Sequence, residues 1–284
     1  MPALFVNNLS VIDFAYFCPE RGIVGESLIL DVELFGKLNE EGMLFDFSYV
    51  KKRIKSCVDS LVDHKLLVAT KCEYAIVTKS PLQLELILKT KDERTYKHIS
   101  PNQAVCLIDA SEVTKHSIAQ LIEREISKIL PDNVTDTKIN LRSEVIDGPF
   151  FHYAHGLKKH FGDCQRIAHG HRSKLEVFID SSYSMKWSEH IANLWKDIYL
   201  ATEEDIKEEV KINGIEYWVF EYHANQGLFQ LTIQKSCCHL IKTDTTVELI
   251  ASYLADYLKE KLPNSRIKVK AYEGVDKGAI SETN

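Results

Sequence analysis

The chain has 284 residues, of which 45% are hydrophobic and 27% charged, proportions that suit a globular protein with a sizeable core. A net charge of −6 and a pI near 6.0 argue against a general nucleic-acid binder, so an anionic ligand has to be met by a local group of cations. Seven irregularly spaced cysteines fit a reducing compartment better than a disulfide framework, the opening MPALFVNNLSVIDF does not read as a signal peptide, and no stretch approaches the roughly 18 apolar residues of a membrane span; a cytoplasmic location with no membrane partner is expected.

Two strands open the chain, ALFVNNLSVIDFAYF and ESLILDVELFG, joined by a short loop. After a turn at Glu41-Gly42, the recurrence of Phe47, Val50, Ile54, Val58 and Leu61 at three and four residues predicts a helix. ATKCEYAIVTK and QLELILKT read as strands, HSIAQLIEREISKIL as an amphipathic helix ended by Pro131, and TKINLRSEVI as the strand after it. The same order then recurs. FFHYAHG and SKLEVFID are strands, WSEHIANLWKDIYLA a helix, and GIEYWVFEYHA with GLFQLTIQK a hairpin. TTVELIASYLADYLKEKL is a helix ended by Pro263, and RIKVKAYEG a closing strand. This is an α+β chain of two tandem domains, 1–147 and 148–284, whose join at Asp147-Gly148-Pro149 is too short to be a tether.

The segment CQRIAHGHR, Cys164 to Arg172, concentrates chemistry. His169 and His171 share a face only on an extended strand; on a helix they would diverge by roughly 200° at about 100° per residue. With His155 at the end of the preceding strand, three imidazoles meet at one rim of a hairpin. Three nitrogens with an open fourth position make a catalytic zinc site, and the plain alternative is a set of surface or capping histidines.

FHYAH, Cys164 ahead of HGH, and the alternating strand beyond resemble the 6-pyruvoyl-tetrahydropterin synthase and 6-carboxytetrahydropterin synthase family. The family's F-x-x-A-H and HGH match Phe151, Ala154, His155, His169 and His171, which implies Zn2+ on the three histidines and catalysis by Cys164. GMLFDF resembles its G-x-x-x-D-F, and LVDHKLL its L-D-H-x-x-L, which implies a catalytic pair at Asp63 and His64. TVELIA resembles its T-S-E-x-x-A, implying substrate contacts from Thr246 and Glu248, and AYEG its pterin-anchoring strand, making Glu273 the anchor with Glu144 in the matching place of the first half. The resemblance also implies a tunnelling fold, in which antiparallel sheets close into a barrel with pterin sites between subunits.

The family's features are divided between the halves. Where the first half should carry zinc ligands it has Tyr16, Val24 and Glu26, and His116 replaces the glutamate of its second helix; the second half has no Asp-His pair. One competent site per chain is therefore expected, with Cys164 and zinc from one half and Asp63-His64 from the other. Taken without the resemblance, Asp63-His64 reads first as a helix-end cap, and the plain alternative for Glu273 is a solvated strand end. Lys158, Lys159, His160, Arg166, Arg172 and Lys174 surround the motif and are candidates for a triphosphate, although a charge run is otherwise a solvated face. Cys237-Cys238 and Trp187, Trp195 and Trp218 read as packing.

The resemblance implies a lyase acting on 7,8-dihydroneopterin triphosphate to give 6-carboxy-5,6,7,8-tetrahydropterin for queuosine-type deazapurines. The alternatives are the 6-pyruvoyl product, a folate-type variant and a non-catalytic pterin-binding protein. A homo-oligomer, a dimer or trimer of fused pairs, is expected, because an isolated sheet leaves open edges.

Overall fold

The protein is described by a computed structural model covering residues 2–283, the side chains of Phe47 and Ser48 excepted. In the first half, β1 (Ala3–Cys18) and β2 (Gly22–Gly36) form a long hairpin, followed by α1 (Phe47–Leu61) and β3 (Leu66–Ala69). A meander of β4 (Ala75–Lys79), β5 (Gln83–Lys89) and β6 (Thr95–Pro101) comes next, then β7 (Val105–Ile108), α2 (Lys115–Ser127) and β8 (Val134–Arg142). The second half opens with the hairpin β9 (Phe150–His155) and β10 (His169–Ile179), the short β11 (Ser182–Tyr183), α3 (Met185–Leu194) and β12 (Ile198–Thr202). Its meander is β13 (Ile206–Ile212), β14 (Ile215–Ala224) and β15 (Gly227–Gln234), after which β16 (Cys238–Ile241), α4 (Val247–Lys261), β17 (Ile267–Tyr272) and β18 (Gly278–Thr283) complete the chain.

The two halves repeat one strand order. The first sheet runs β7-β3-β1-β2-β8 and the second β16-β12-β9-β10-β17, with β18 added at its edge and β11 paired to β10. The two meanders join through β15 and β6, where Leu231 lies opposite His98, into a single six-stranded sheet β13-β14-β15-β6-β5-β4. This mixed α/β architecture has three cores. α1 and α2 cover the first sheet through Val50, Ile54, Val58, Ile118 and Ile122, while α3 and α4 cover the second through Ile191, Trp195, Leu254 and Leu258. The third core lies under the shared sheet and takes Phe17, Leu66 and Leu86 from one half and Ala154, Tyr199 and Leu231 from the other. Thr114 opens α2 with a reciprocal cap to Ser117, and Thr246 caps α4 by accepting from the Leu249 N–H.

The hairpins of the two halves pack against each other at two glycines. A Cβ on Gly170 would stand 2.3 Å from the Tyr153 carbonyl oxygen and 2.7 Å from Cα of Gly25; one on Gly25 would stand 1.9 Å from the same carbonyl. Only glycine permits that approach. β2 from Gly22 to Leu30 is buried on nearly every residue because helices cover one face and the other hairpin covers part of the second, which accounts for apolar residues on both sides of Glu26 and Ser27.

Several sequence expectations need correction. The helix expected over WSEHIANLWKDIYLA ends at Leu194, and Ile198–Thr202 is a strand paired between β9 and β16. Asp197, with φ of +56°, breaks the helix, and the buried Tyr199-Leu200-Ala201 gains ladder bonds on both sides, a choice that periodicity alone does not make. ATKCEYAIVTK is divided by a turn between β3 and β4. RIKVKAYEG is not the closing strand, since β18 returns to pair with β17. TKINLRSEVI leaves the sheet at Arg142, so Glu144 lies outside it. Among the described residues no helix is long and apolar enough to cross a membrane.

Candidate active site

The hairpin β9–β10 sets His155 directly opposite His169, and His171 opposite Tyr153. Two-residue strand periodicity turns His169 and His171 to the same face. One ligand nitrogen from each of the three rings lies within 4.8 Å of the others, and all three residues are buried.

Each ring is held through Nδ1. His155 meets Thr245 Oγ1 at 2.9 Å and His169 the Arg166 carbonyl at 2.9 Å, both as hydrogen bonds, while His171 faces Asp13 Oδ1 at 3.3 Å, an ion-pair contact without hydrogen-bond geometry. The acceptors place the proton on Nδ1, leaving the Nε2 lone pairs free as donors to a metal. Among the described residues, Nε2 of His155 and both ring nitrogens of His171 are buried without a hydrogen-bond partner, a costly state for Nε2 unless something else binds there. Burial also presses His155 and His169 well below the ordinary imidazole range, so both are neutral, as ligands must be. The residues fit a divalent metal held by three nitrogens.

The Asp63–His64 turn of the first half stands against this cluster. Ligand atoms of His64, Cys164 and His169 form a second group within 4.8 Å, and the His64 and His169 ring centroids are 5.2 Å apart. His64 has φ of +52°, a conformation costly for a residue with a side chain. It is over-determined by its surroundings. The His64 N–H donates to the Asp13 carbonyl at 2.6 Å, the Asp13 N–H donates to Asp63 Oδ1 at 2.8 Å, and Arg166 Nη1 donates to the carbonyls of Asp63 and His64 at 3.2 and 3.4 Å. Asp63 Oδ2 lies 2.7 Å from His64 Nδ1. Burial disfavours the imidazolium, but Asp63 and Cys164 outweigh it and raise the His64 pKa to about 10. The site thus sets the His64 imidazole beside Cys164 and the three clustered histidines.

The other expected residues divide. Glu273, on the turn after β17, reaches within 4.0 Å of His171 Nε2. Glu144 is not its counterpart: Leu141 lies opposite Leu30 and Ala271 opposite Leu175, so counting along the strands puts Ser143 in the place of Glu273. Thr246 caps α4 and Glu248 stands exposed in its first turn; the neighbouring Thr245 is the residue that reaches the histidines. Most candidate triphosphate cations have partners within the chain. Lys158 pairs with Asp205, Lys159 with Asp244, Arg166 with Asp163 and Lys174 with Glu176, while Arg172 lies over the Phe150 ring.

The first half carries the same framework with different chemistry. Tyr16 pairs with Val24 as His155 pairs with His169, and Glu26 faces Phe14 as His171 faces Tyr153. The register of β3 and β12 puts Asp197 in the place of His64, also at positive φ, and there it binds Arg21 Nε at 3.0 Å. Sequence reasoning missed Asp13, Thr245 and Lys277. For Asp13 a signal existed: an acidic residue inside the apolar run VIDFAY has to be paired if buried.

The sequence profile described as 6-pyruvoyl tetrahydropterin synthase matches the chain twice, over residues 19–148 and 144–284. A Pyrococcus horikoshii protein named "Putative 6-carboxy-5,6,7,8-tetrahydropterin synthase" is 26% identical over 121 residues, which is 43% of this chain and 68% of that protein. A Pyrococcus abyssi protein of the same name is 28% identical over 126 residues, with the same shares. Among solved structures, the 6-pyruvoyl tetrahydropterin synthases of Plasmodium vivax and Plasmodium falciparum each align at 16% identity and a TM-score of 0.37, covering 50% of this chain and 97% of theirs.

Proposed function

Given that the chain belongs to the 6-pyruvoyl tetrahydropterin synthase family, we propose that it is a zinc-dependent pterin lyase with one composite active site per chain. The single observation that carries this reading is the meeting of His64, from the first half, with Cys164 and the histidine trio of the second. The domains are 1–147, without metal, and 148–284, which binds it.

His155, His169 and His171 would hold the zinc, which supplies Lewis-acid polarisation of substrate oxygens when bound. The substrate is 7,8-dihydroneopterin triphosphate and the product 6-carboxy-5,6,7,8-tetrahydropterin, the product that appears in the names of the two archaeal relatives. Cys164 is the base that takes a proton from the substrate side chain. His64 is the proton carrier, oriented by Asp63 through Nδ1. Glu273 accepts hydrogen bonds from the amino and ring N–H edge of the pterin, a recognition that rejects analogues lacking those donors. The protein works in the cytoplasm, on the deazapurine (queuosine) route, as a homo-oligomer of two or three chains.

Incubation of purified protein with dihydroneopterin triphosphate, with the pterin product identified by mass, tests the reaction. The 6-carboxy product is expected. The 6-pyruvoyl product would move the chain to the sister activity, and unchanged substrate with a fully metallated protein would leave a pterin-binding protein.

A further inference from the structure

Asp13 lies on β1, in the half without the metal cluster, and its side chain is 4% exposed. An ionised carboxylate in such a place costs several kcal/mol unless it is fully paired. Its pairing involves both halves. Oδ1 accepts from Ser27 Oγ at 2.5 Å and faces His171 Nδ1 at 3.3 Å, while Oδ2 faces Lys277 Nζ at 3.2 Å. Its backbone N–H donates to Asp63 Oδ1 and its carbonyl accepts from the His64 N–H. Gly274, directly after Glu273, packs so closely that a Cβ there would lie 2.5 Å from Asp13 Oδ1.

Asp13 therefore touches three parts of the site: a metal-candidate histidine, the Asp63–His64 turn, and the turn that carries Glu273 and Lys277. Ordinary core pairing does not account for this. Lys277 is half-exposed and needs no buried partner, and apolar residues precede and follow Asp13 in its strand. The arrangement is also confined to one side. In the equivalent register position of β9 stands His152, whose Nδ1 meets the Gly25 carbonyl instead.

We propose that Asp13 is a positioning residue that fixes His171 through Nδ1 and ties that ligand to the proton-transfer and substrate-anchoring turns. This rests on the reading that the three histidines hold a metal. A carboxylate behind a ligating imidazole fixes its tautomer and raises its basicity, and loss of such a partner typically weakens metal binding about 10–100-fold.

The test is chelator competition for Zn2+ on the full-length chain, with the visible spectrum of the Co2+-substituted protein as a second readout. The wild type, Asp13→Ala, Asp13→Asn, His171→Ala and the Asp13→Ala/His171→Ala double variant are compared. Asp13→Ala is expected to weaken zinc binding about 10–100-fold and shift the cobalt bands. Asp13→Asn keeps one acceptor for the Nδ1–H but loses the charge, so its affinity should fall between wild type and Ala. In the His171→Ala background, removing Asp13 should cost nothing further, because the ring it holds has gone. A folded Asp13→Ala chain with wild-type affinity and spectrum, or an equal loss in both backgrounds, overturns the proposal. If Asp13→Ala does not fold, Asp13→Asn decides, and an unaltered cobalt spectrum there overturns it. A wild-type chain that takes no zinc overturns the metal reading itself, whereas metal binding indifferent to Asp13 overturns this inference alone.

Discussion

Gly25 and Gly170, 145 positions apart, cross backbone to backbone, so that a Cβ on the second would lie 2.7 Å from Cα of the first. Gly170 sits between two candidate metal ligands, which makes the crossing part of the site as well as of the fold. Gly170→Ala should cost about 1–3 kcal/mol or more, since its neighbours are backbone atoms that cannot yield. It should also lower metal content by displacing His169 and His171. Gly25→Ala should do the same from the half that holds no ligand. Urea midpoints and bound zinc report both effects, and a stable, fully metallated Gly25→Ala protein would show that the hairpins can separate without harm.

His64 is held by Asp63, Asp13 and Arg166 but has no part in the three-histidine set. His64→Ala should reduce turnover about 10²–10⁴-fold, the usual cost of a lost proton-transfer group, with zinc content and melting temperature near wild type. Retention of full turnover would make the Asp63–His64 pair a structural cap.

Thr245 accepts from His155 Nδ1 and is buried. Thr245→Val keeps the shape and removes the acceptor. Zinc affinity should fall about tenfold, in the range for lost partners of ligating imidazoles, with little change in stability. Chelator competition measures the first and thermal melting the second; unchanged affinity would mean that packing alone orients the ring.

His98 lies at the seam of the two halves, buried, with Nδ1 unpartnered among the described residues. Burial alone lowers its pKa from 6.5 to about 4. The unfolded chain therefore binds more protons than the folded one between these values, so stability rises with pH across that window. Its contribution is undiminished above pH 6.5 and is lost progressively as pH falls towards 4, by up to about 3 kcal/mol at 1.36 kcal/mol per unit. His98→Phe should flatten that part of the stability curve, as read from urea midpoints between pH 4 and 7. Parallel curves for the two proteins would refute the assignment.

What the sequence determined by itself was local. HGH can converge only on a strand, Val50, Ile54 and Val58 share a face only on a helix, and both patterns were legible because periodicity needs no partner. The tandem order was visible for the same reason, and the resemblance of short motifs to a known family pointed to Cys164, Asp63 and His64 as site residues. Tertiary structure decided whatever depends on a partner distant in sequence. Ile198–Thr202 became a strand because β9 and β16 offered it ladder bonds, and Ser143 rather than Glu144 took the place of Glu273 because register is set between strands. The two meanders merged into one sheet for the same cause. Asp13 reads in the sequence as one polar residue in an apolar strand; only the fold brings to it His171, 158 positions on, and Lys277, 264 positions on. A buried charge needs its partners within hydrogen-bonding reach, and chain order sets no limit on where they come from.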